Sequence, residues 1–382
     1  MKTILTSIAA GSLLATLAAA QPRYSIRDLG PVDGTPGQPY LITNNGLVAG
    51  AAIASSRMHA VLWYKAQKMD IGRPGLGGPN SAAFGVNQHG QIVGQAETSV
   101  ANGEDFCGFN FYGFPSSTAC LPFLWQNGMM AKLPTLGGAN GFANSINNRG
   151  EVAGLAETTI KDPAPGCPVS QFKPVIWRRG ATQELQTYPG DTDGVAAALN
   201  DTGQAVGASG TCTSFNPNSG LYLLENHALL WESDGTPTDL GNLGGTGGIA
   251  GNHACAINNL GQAVGHSDLA GNTTFYGFFW TKETGMQPII PLSGDFASLA
   301  LGINDRSQIV GASLDASFNS RAFLWQSGAA TDLNRLVTAN PAGLYLLLGE
   351  SINGAGQIVG LGVTTDGLHG FLATPSESED DQ

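Results

Sequence analysis

The sequence predicts an all-β fold, a seven-bladed β-propeller closed by pairing strands from its two ends, and three observations carry that expectation. A turn motif recurs seven times along the 382 residues. An apolar run ending in tryptophan recurs six times, and a seventh copy without the tryptophan lies at the far end. The chain also begins partway through a repeat, and its last residues supply the missing piece.

The turn motif reads Ile-Asn-x-x-Gly-x-x-x-Gly. Its copies close on Gly50, Gly94, Gly154, Gly207, Gly265, Gly311 and Gly360, at spacings of 44 to 60 residues. An apolar residue ends one strand and two polar turn-formers come next. The first glycine then supplies the positive φ of a tight hairpin. A segment such as Gln91-Ile-Val-Gly94 runs back as the next strand. The second glycine either admits another backbone or marks a bulge. Ser307 replaces the first glycine in the sixth copy, which predicts a strained turn there.

The apolar runs end at Trp63, Trp125, Trp177, Trp231, Trp280 and Trp325, which are all the tryptophans of the chain. Recurrence at one repeat position assigns them to packing rather than to a ligand. The seventh copy is His369-Gly-Phe-Leu-Ala373. The segment Tyr24-Ser-Ile-Arg-Asp-Leu-Gly30 matches the stretch just after the tryptophan in other repeats, such as Asp239-Leu-Gly241. The first repeat therefore lacks its opening strand and the C-terminus provides it. A closed ring explains that placement, whereas an open solenoid does not.

Residues 1–20 hold one basic residue, Lys2, then a weakly apolar stretch ending Ala18-Ala-Ala20, the pattern of a cleaved export signal. Residues 21–375 form the repeat domain, and 376–382 an acidic tail expected to be disordered. Nothing after residue 20 is apolar enough to insert in a membrane. The expectation is a secreted or periplasmic monomer. Charged residues are 12% of the chain and glycines number 54, against typical fractions of ~25% and ~7%. Many short strands and tight turns suit that balance. The net charge of −12 disfavours nucleic acid and anionic lipid.

Five cysteines in an exported chain predict disulfides with one thiol left over. Cys107 and Cys120 bracket one loop and form the first expected pair. Cys167 and Cys212 come after equivalent strands of consecutive repeats and could staple neighbouring blades. Cys255, on a repeat strand, is expected to be a buried free thiol.

These elements resemble the bacterial extracellular HAF-repeat family, named for its His-Ala-Phe run. The family pattern continues with Asp-Leu-Gly-x-Leu-Gly-Gly and then the Ile-Asn turn. Thr238-Asp-Leu-Gly-Asn-Leu-Gly-Gly245 and Leu133-Pro-Thr-Leu-Gly-Gly138 carry it here. Asp332-Leu-Asn334, with Ile352-Asn353 and His369-Gly-Phe-Leu372, is similar to its terminal repeat. The resemblance covers nearly the whole chain after residue 20. It implies export and a repeat fold, and no established activity. Only His59, His227 and His369 keep the histidine, which argues against a shared catalytic group.

Several constellations invite chemistry. Gly265-His-Ser-Asp268 resembles a nucleophile elbow, but Ser267 has repeat equivalents in Ser209 and Ser313. His227, His253, Cys255 and His266 match no zinc spacing. Gly190-Asp-Thr-Asp-Gly194 falls short of a calcium loop. Neither a metal nor a cofactor is expected. Three carboxylates stand three residues beyond a motif glycine: Glu97, Glu157 and Asp268. They could converge on the central opening and run glycoside cleavage, or simply be solvated, the plainer expectation.

Insertions collect at 95–120, 155–172, 208–226 and 266–275, between the strand after the second glycine and the next tryptophan run. Such loops emerge on one face of a ring. The first contains Phe106, Phe109, Phe111, Tyr112 and Phe114 beside Asn110. Exposed, those rings would stack on sugars or dock a protein; otherwise the loop buries them itself. The expected function is a non-catalytic extracellular binding module for a polysaccharide or protein, with Phe109, Phe111, Tyr112, Glu97, Glu157 and Asp268 as candidate ligand contacts. The alternative is a propeller glycosidase or polysaccharide lyase using the three carboxylates.

Overall fold

The structure is a computed structural model that describes residues 22–376, except 31–36, 55, 66, 74, 103–105, 107, 108, 110–113, 115, 166, 168 and 217–220. The expected export signal and acidic tail lie outside the described residues. Among the described residues are six four-stranded antiparallel sheets and one of five strands. They are the seven blades of the propeller. A 3-10 turn spans Leu333–Leu336.

Blades 1 to 6 each take their four strands consecutively from the chain. Their inner strands are Gly37–Ile42, Gly77–Val86, Gly137–Ile146, Asp193–Leu199, Asn252–Ile257 and Ala297–Ile303. Blade 7 begins with Tyr345–Ile352, Ile358–Thr364 and Gly367–Ser376 from the C-terminal end. Arg23–Asp28 then pairs antiparallel along Gly367–Ser376, from Arg23 opposite Ser376 to Asp28 opposite Phe371. Both ends of the chain share one blade, as the sequence predicts. A short strand, Val337–Ala339, pairs in parallel outside Arg23–Asp28.

The turn motif closes the ring as well as the hairpins. Each motif asparagine caps its own turn: the Asn258 side-chain oxygen accepts from the Leu260 and Gln262 amides, both at 3.0 Å. Its amide donates to Gln262 Oε1 at 2.7 Å and, across the blade boundary, to the Asn304 carbonyl at 3.0 Å. The same interblade bond links Asn87 to Asn147, Asn147 to Asn200, Asn200 to Asn258, Asn304 to Asn353 and Asn353 to Thr43. The turns thus join into a belt of buried, satisfied amides around one mouth of the axis. Ser307 adopts φ 56°, the left-handed conformation its turn requires.

The tryptophans pack between blades. Trp177 is buried with Val93 of blade 2 and with Ala143, Ile146, Val152 and Val175 of its own blade. Its indole nitrogen donates to the Pro134 carbonyl at 2.7 Å; Trp231 does the same to Gln186 at 2.7 Å.

Candidate functional site

The inner strand of every blade carries a bulge, and the bulge defines the axial channel. In blade 5 the ladder slips between Ala254 and Ala256, leaving Cys255 as the extra residue. The equivalent slips isolate Tyr40, Phe84, Asn144, Ala197, Leu301 and Glu350. All seven are half-buried. A bulge turns its extra side chain out of the ladder, here towards the axis. Tyr40 and Phe84 meet edge to face across the boundary of blades 1 and 2, with centroids 5.2 Å apart. The second motif glycine stands opposite each bulge. A Cβ on Gly311 would lie 1.8 Å from the Leu299 carbonyl oxygen, and one on Gly265 would lie 1.9 Å from that of His253. Both sequence expectations for that glycine, close backbone approach and a bulge, describe one feature.

One mouth of the channel is lined by the seven Ile-Asn turns. The links between second and third strands, where the insertions lie, open at the other end.

The three carboxylates singled out in the sequence sit at that loop-bearing end, but they are neither solvated nor gathered on the axis. Glu97, Glu157 and Asp268 are 1%, 2% and 0% exposed. Glu157 Oε2 accepts from the Ala139 and Asn140 amides at 2.8 and 2.9 Å and from the Asn140 side chain at 3.1 Å. Glu97 holds Asn80 in the same way, at 3.1 and 2.9 Å. Asp268 accepts from the Ile249 and Ala250 amides at 2.7 and 2.9 Å. Asn80 and Asn140 pass the link on, accepting from Met58 and Cys120 of the preceding blade at 3.1 and 3.0 Å. Each acid therefore fastens the loop that enters its blade. The sequence held a signal for this: the three acids occur in the three blades entered through Leu-Gly-Gly, at 76–78, 136–138 and 243–245. The second glycine makes room, since a Cβ on Gly78, Gly138 or Gly245 would lie 2.4 to 2.6 Å from its acid's side chain.

The described rings of the aromatic loop are turned inward. Phe109 is fully buried against Ala51, Met58, Ala82 and Cys120, with Tyr40 and Phe84 packed alongside. This corrects the expectation of an exposed stacking ring. Phe106 is buried against Phe142, Phe172 and Val195 of blades 3 and 4. Phe106 and Phe109 thus pack against blades 1 to 4. Phe111, Tyr112, Asn110 and Cys107 lie outside the described residues. Cys120 is disulfide-bonded. Cys167 and Cys212 form the predicted staple between blades 3 and 4, with Cα atoms 5.7 Å apart.

The remaining motifs are structural. Ser267 is buried, donates to Asn252 Oδ1 at 2.7 Å and accepts from the Leu243 amide at 2.8 Å. Ser209 and Ser313 accept equivalent link amides, from Tyr188 and Leu292. His59 and His369 pair with Asp70 and Asp28 of the adjoining outer strands, at 2.7 and 3.0 Å. His227 pairs instead with Asp191, at 2.8 Å. Asp193 is fully buried and accepts from the Phe172 amide at 2.8 Å, the place that Asn80 and Asn140 fill in blades 2 and 3. Burial, together with the neighbouring Asp162 carboxyl, pushes Asp193 up to about 7.

On blades 5 and 7 the channel wall carries ionisable groups. Glu350 faces Gln38, whose amide donates at 3.3 Å, and burial pushes its carboxyl up to about 7. His253 Nδ1 lies 2.8 Å from Glu225 Oε1. Burial opposes protonation of His253, but the Glu225 charge outweighs it and raises the imidazole. His266 Nε2 donates to the Ala250 carbonyl at 3.0 Å, and its Nδ1 faces Cys255 Sγ at 3.7 Å. Burial, then the neighbouring His253, push His266 down to about 4. Burial with the Glu225 and Glu350 charges pushes the Cys255 thiol far up. A nucleophilic cysteine needs the opposite, a stabilised thiolate. The sequence predicts a free thiol here, and it is free. The sequence groups His253, Cys255 and His266 but shows no metal spacing among them; the structure sets His253 opposite His266 and brings Cys255 to His266 through the slip of a bulge.

No family model matches the chain, and no curated protein matches it. Solved structures do. The β-propeller domain of the Trilobed protease from Pyrococcus furiosus is 10% identical, aligns over 93% of this chain and 96% of its own, and has a TM-score of 0.51. An oligogalacturonate lyase solved in complex with manganese is 10% identical over 94% of this chain and 95% of its own, with a TM-score of 0.54. At that identity the likeness is one of fold: the chain is a seven-bladed β-propeller. No helix among the described residues is long and apolar enough to cross a membrane.

Proposed function

We propose that this propeller is an exported, non-catalytic binding module of the HAF-repeat type, which takes a polysaccharide segment or a protein partner at the loop-bearing end of its axial channel. The carrying observation is the bulge position. Its backbone, its opposing glycine and its turn repeat in seven blades, while its side chain differs every time: Tyr40, Phe84, Asn144, Ala197, Cys255, Leu301 and Glu350. A spacer has no use for that contrast, whereas a recognition site draws its specificity from it. The loop insertions open at the same end. The non-catalytic part rests on the chemistry of the candidates: Glu97, Glu157 and Asp268 are occupied by backbone amides, and burial with the Glu225 and Glu350 charges raises the Cys255 thiol.

The test is binding of the mature chain, residues 21–382, to a broad polysaccharide array and to extracellular protein, with released sugars assayed in parallel. Binding without release, weakened at least tenfold by Asn144→Ala or Glu350→Gln at unchanged thermal stability, supports the reading. Sugar release abolished by Glu350→Gln would make the channel a catalytic site instead. Binding indifferent to both substitutions would move the site off the axis.

A further inference from the structure

We propose that Cys255 and His266, with His253 as third donor, form a binding site for a soft divalent transition metal such as zinc, on the channel wall of blade 5. The inference stands independently of the proposed function. Its first support is an edge of the right length. Zinc binds thiolate sulfur at about 2.3 Å and imidazole nitrogen at about 2.0 Å, so a tetrahedral site separates the two by about 3.5 Å. Cys255 Sγ and His266 Nδ1 stand 3.7 Å apart.

The second support is the state of the imidazoles. A carbonyl oxygen only accepts, so the His266 proton is on Nε2, bonded to Ala250, and Nδ1 offers its lone pair to the cysteine. The Glu225 carboxylate likewise accepts from His253 Nδ1, so Nε2 is the nitrogen that would give up its proton to a metal. Metal-bound histidines are characteristically held this way, by a carboxylate or a carbonyl on the far nitrogen. The two rings lie 5.7 Å apart and 15° from parallel.

The third support is a buried carboxylate that His253 engages through one oxygen only. Glu225 is 1% exposed and its second oxygen, Oε2, has no hydrogen-bond partner among the described residues. Beside Gly251, that oxygen lies 2.7 Å from where a Cβ would stand, in the segment leading to His253. A buried carboxylate with one oxygen unused, beside a thiol and two imidazoles, favours a cation. Thiolate and imidazole together select a soft ion over calcium or magnesium. The donors do not yet share one coordination sphere. Cys255 and His266 form its first edge, and rotation of the His253 side chain closes the set, with Glu225 balancing the charge. On binding, the cysteine proton leaves to solvent and the sulfur–metal bond takes its place.

Cobalt(II) is the probe, because a thiolate ligand gives it a charge-transfer absorption that oxygen and nitrogen ligands do not. The full mature protein should take up one equivalent with that absorption, and zinc should displace it. Cys255→Ser should abolish the band, His266→Gln should weaken binding at least tenfold, and His227→Gln should change neither. Should a variant fold poorly, alkylation of the wild-type Cys255 thiol gives a second readout, which zinc should slow at least tenfold. A missing thiolate band, a band that survives Cys255→Ser, or alkylation indifferent to zinc would overturn the proposal.

Discussion

The two ends of the axis are built from the same seven strands and obey opposite rules. At the turn end, six asparagines make the same interblade bond, and the seventh place, Thr43, still receives one. At the loop end, three blades fasten their entry link with a carboxylate, others use serine, and blade 4 puts Asp193 where blades 2 and 3 have asparagine. The contrast shows where the fold is specified. One mouth carries the closure, so the other is free to diverge around the channel.

The largest test of that division falls on a feature common to all blades. Gly311→Ala places a methyl group 1.8 Å from the Leu299 carbonyl oxygen. That oxygen is backbone, so the bulge must move. The expected cost is about 3 kcal/mol or more, read as a lower urea midpoint. A cost under about 1 kcal/mol would mean that the bulge is pliable and does not fix the side chains facing the axis.

Glu157→Gln comes next and bears on the other end. The carboxylate accepts three bonds on Oε2, from two backbone amides and a side chain. Its other oxygen accepts from the Ser170 amide at 3.3 Å, so the NH2 of a glutamine must face a donor on one side or the other, and the substitution should cost about 2 kcal/mol. Unchanged stability with lost ligand binding would return Glu157 to the role of ligand contact.

These two residues also show what a sequence can disclose. The turn, the seven copies and the shared closing blade were legible because each is written in local chemistry or in the order of segments. The asparagine was legible only as a turn-former. Its bond to the next blade spans 46 residues between Asn258 and Asn304, and nothing local encodes it. Glu157 looked solvated for a similar reason, since its partners belong to the link that precedes the strand. The channel wall was illegible for another. Cys255 faces the axis because a bulge shifts the alternation of its strand, and periodicity cannot register one extra residue.

The third effect depends on pH. Asp193 ionises near 3.8 when unfolded but is pushed up to about 7 in the fold, by burial and by Asp162. Thr192 and the Phe172 amide bond its oxygens, and the Lys173 ammonium donates to the Thr192 carbonyl alongside. The folded state therefore keeps a proton that the unfolded chain releases. Stability is greatest below pH 3.8 for this group and declines as pH rises towards 7. Asp193→Asn restores the residue used at Asn80 and Asn140, and it should remove that decline, raising the melting temperature more at about pH 7.5 than at about pH 5. An equal slope in both proteins would show that the pair does not control it.

The smallest effect falls on the one break in the belt. Thr43 receives the Asn353 amide but has no amide of its own to pass on, and its hydroxyl turns to Asn45 at 2.6 Å. Asn45 bridges the seam in its stead, donating to the Gln88 carbonyl at 2.9 Å. Thr43→Asn should extend the belt to Asn87 and gain about 0.5–1 kcal/mol, the net worth of one hydrogen bond. The gain is small because the bridge through Asn45 already spans the boundary. A larger gain would identify the seam between blades 1 and 2 as the weak joint of the ring. A loss would show that Leu47, in the place where other blades put glutamine or glutamate, has adapted its turn to threonine.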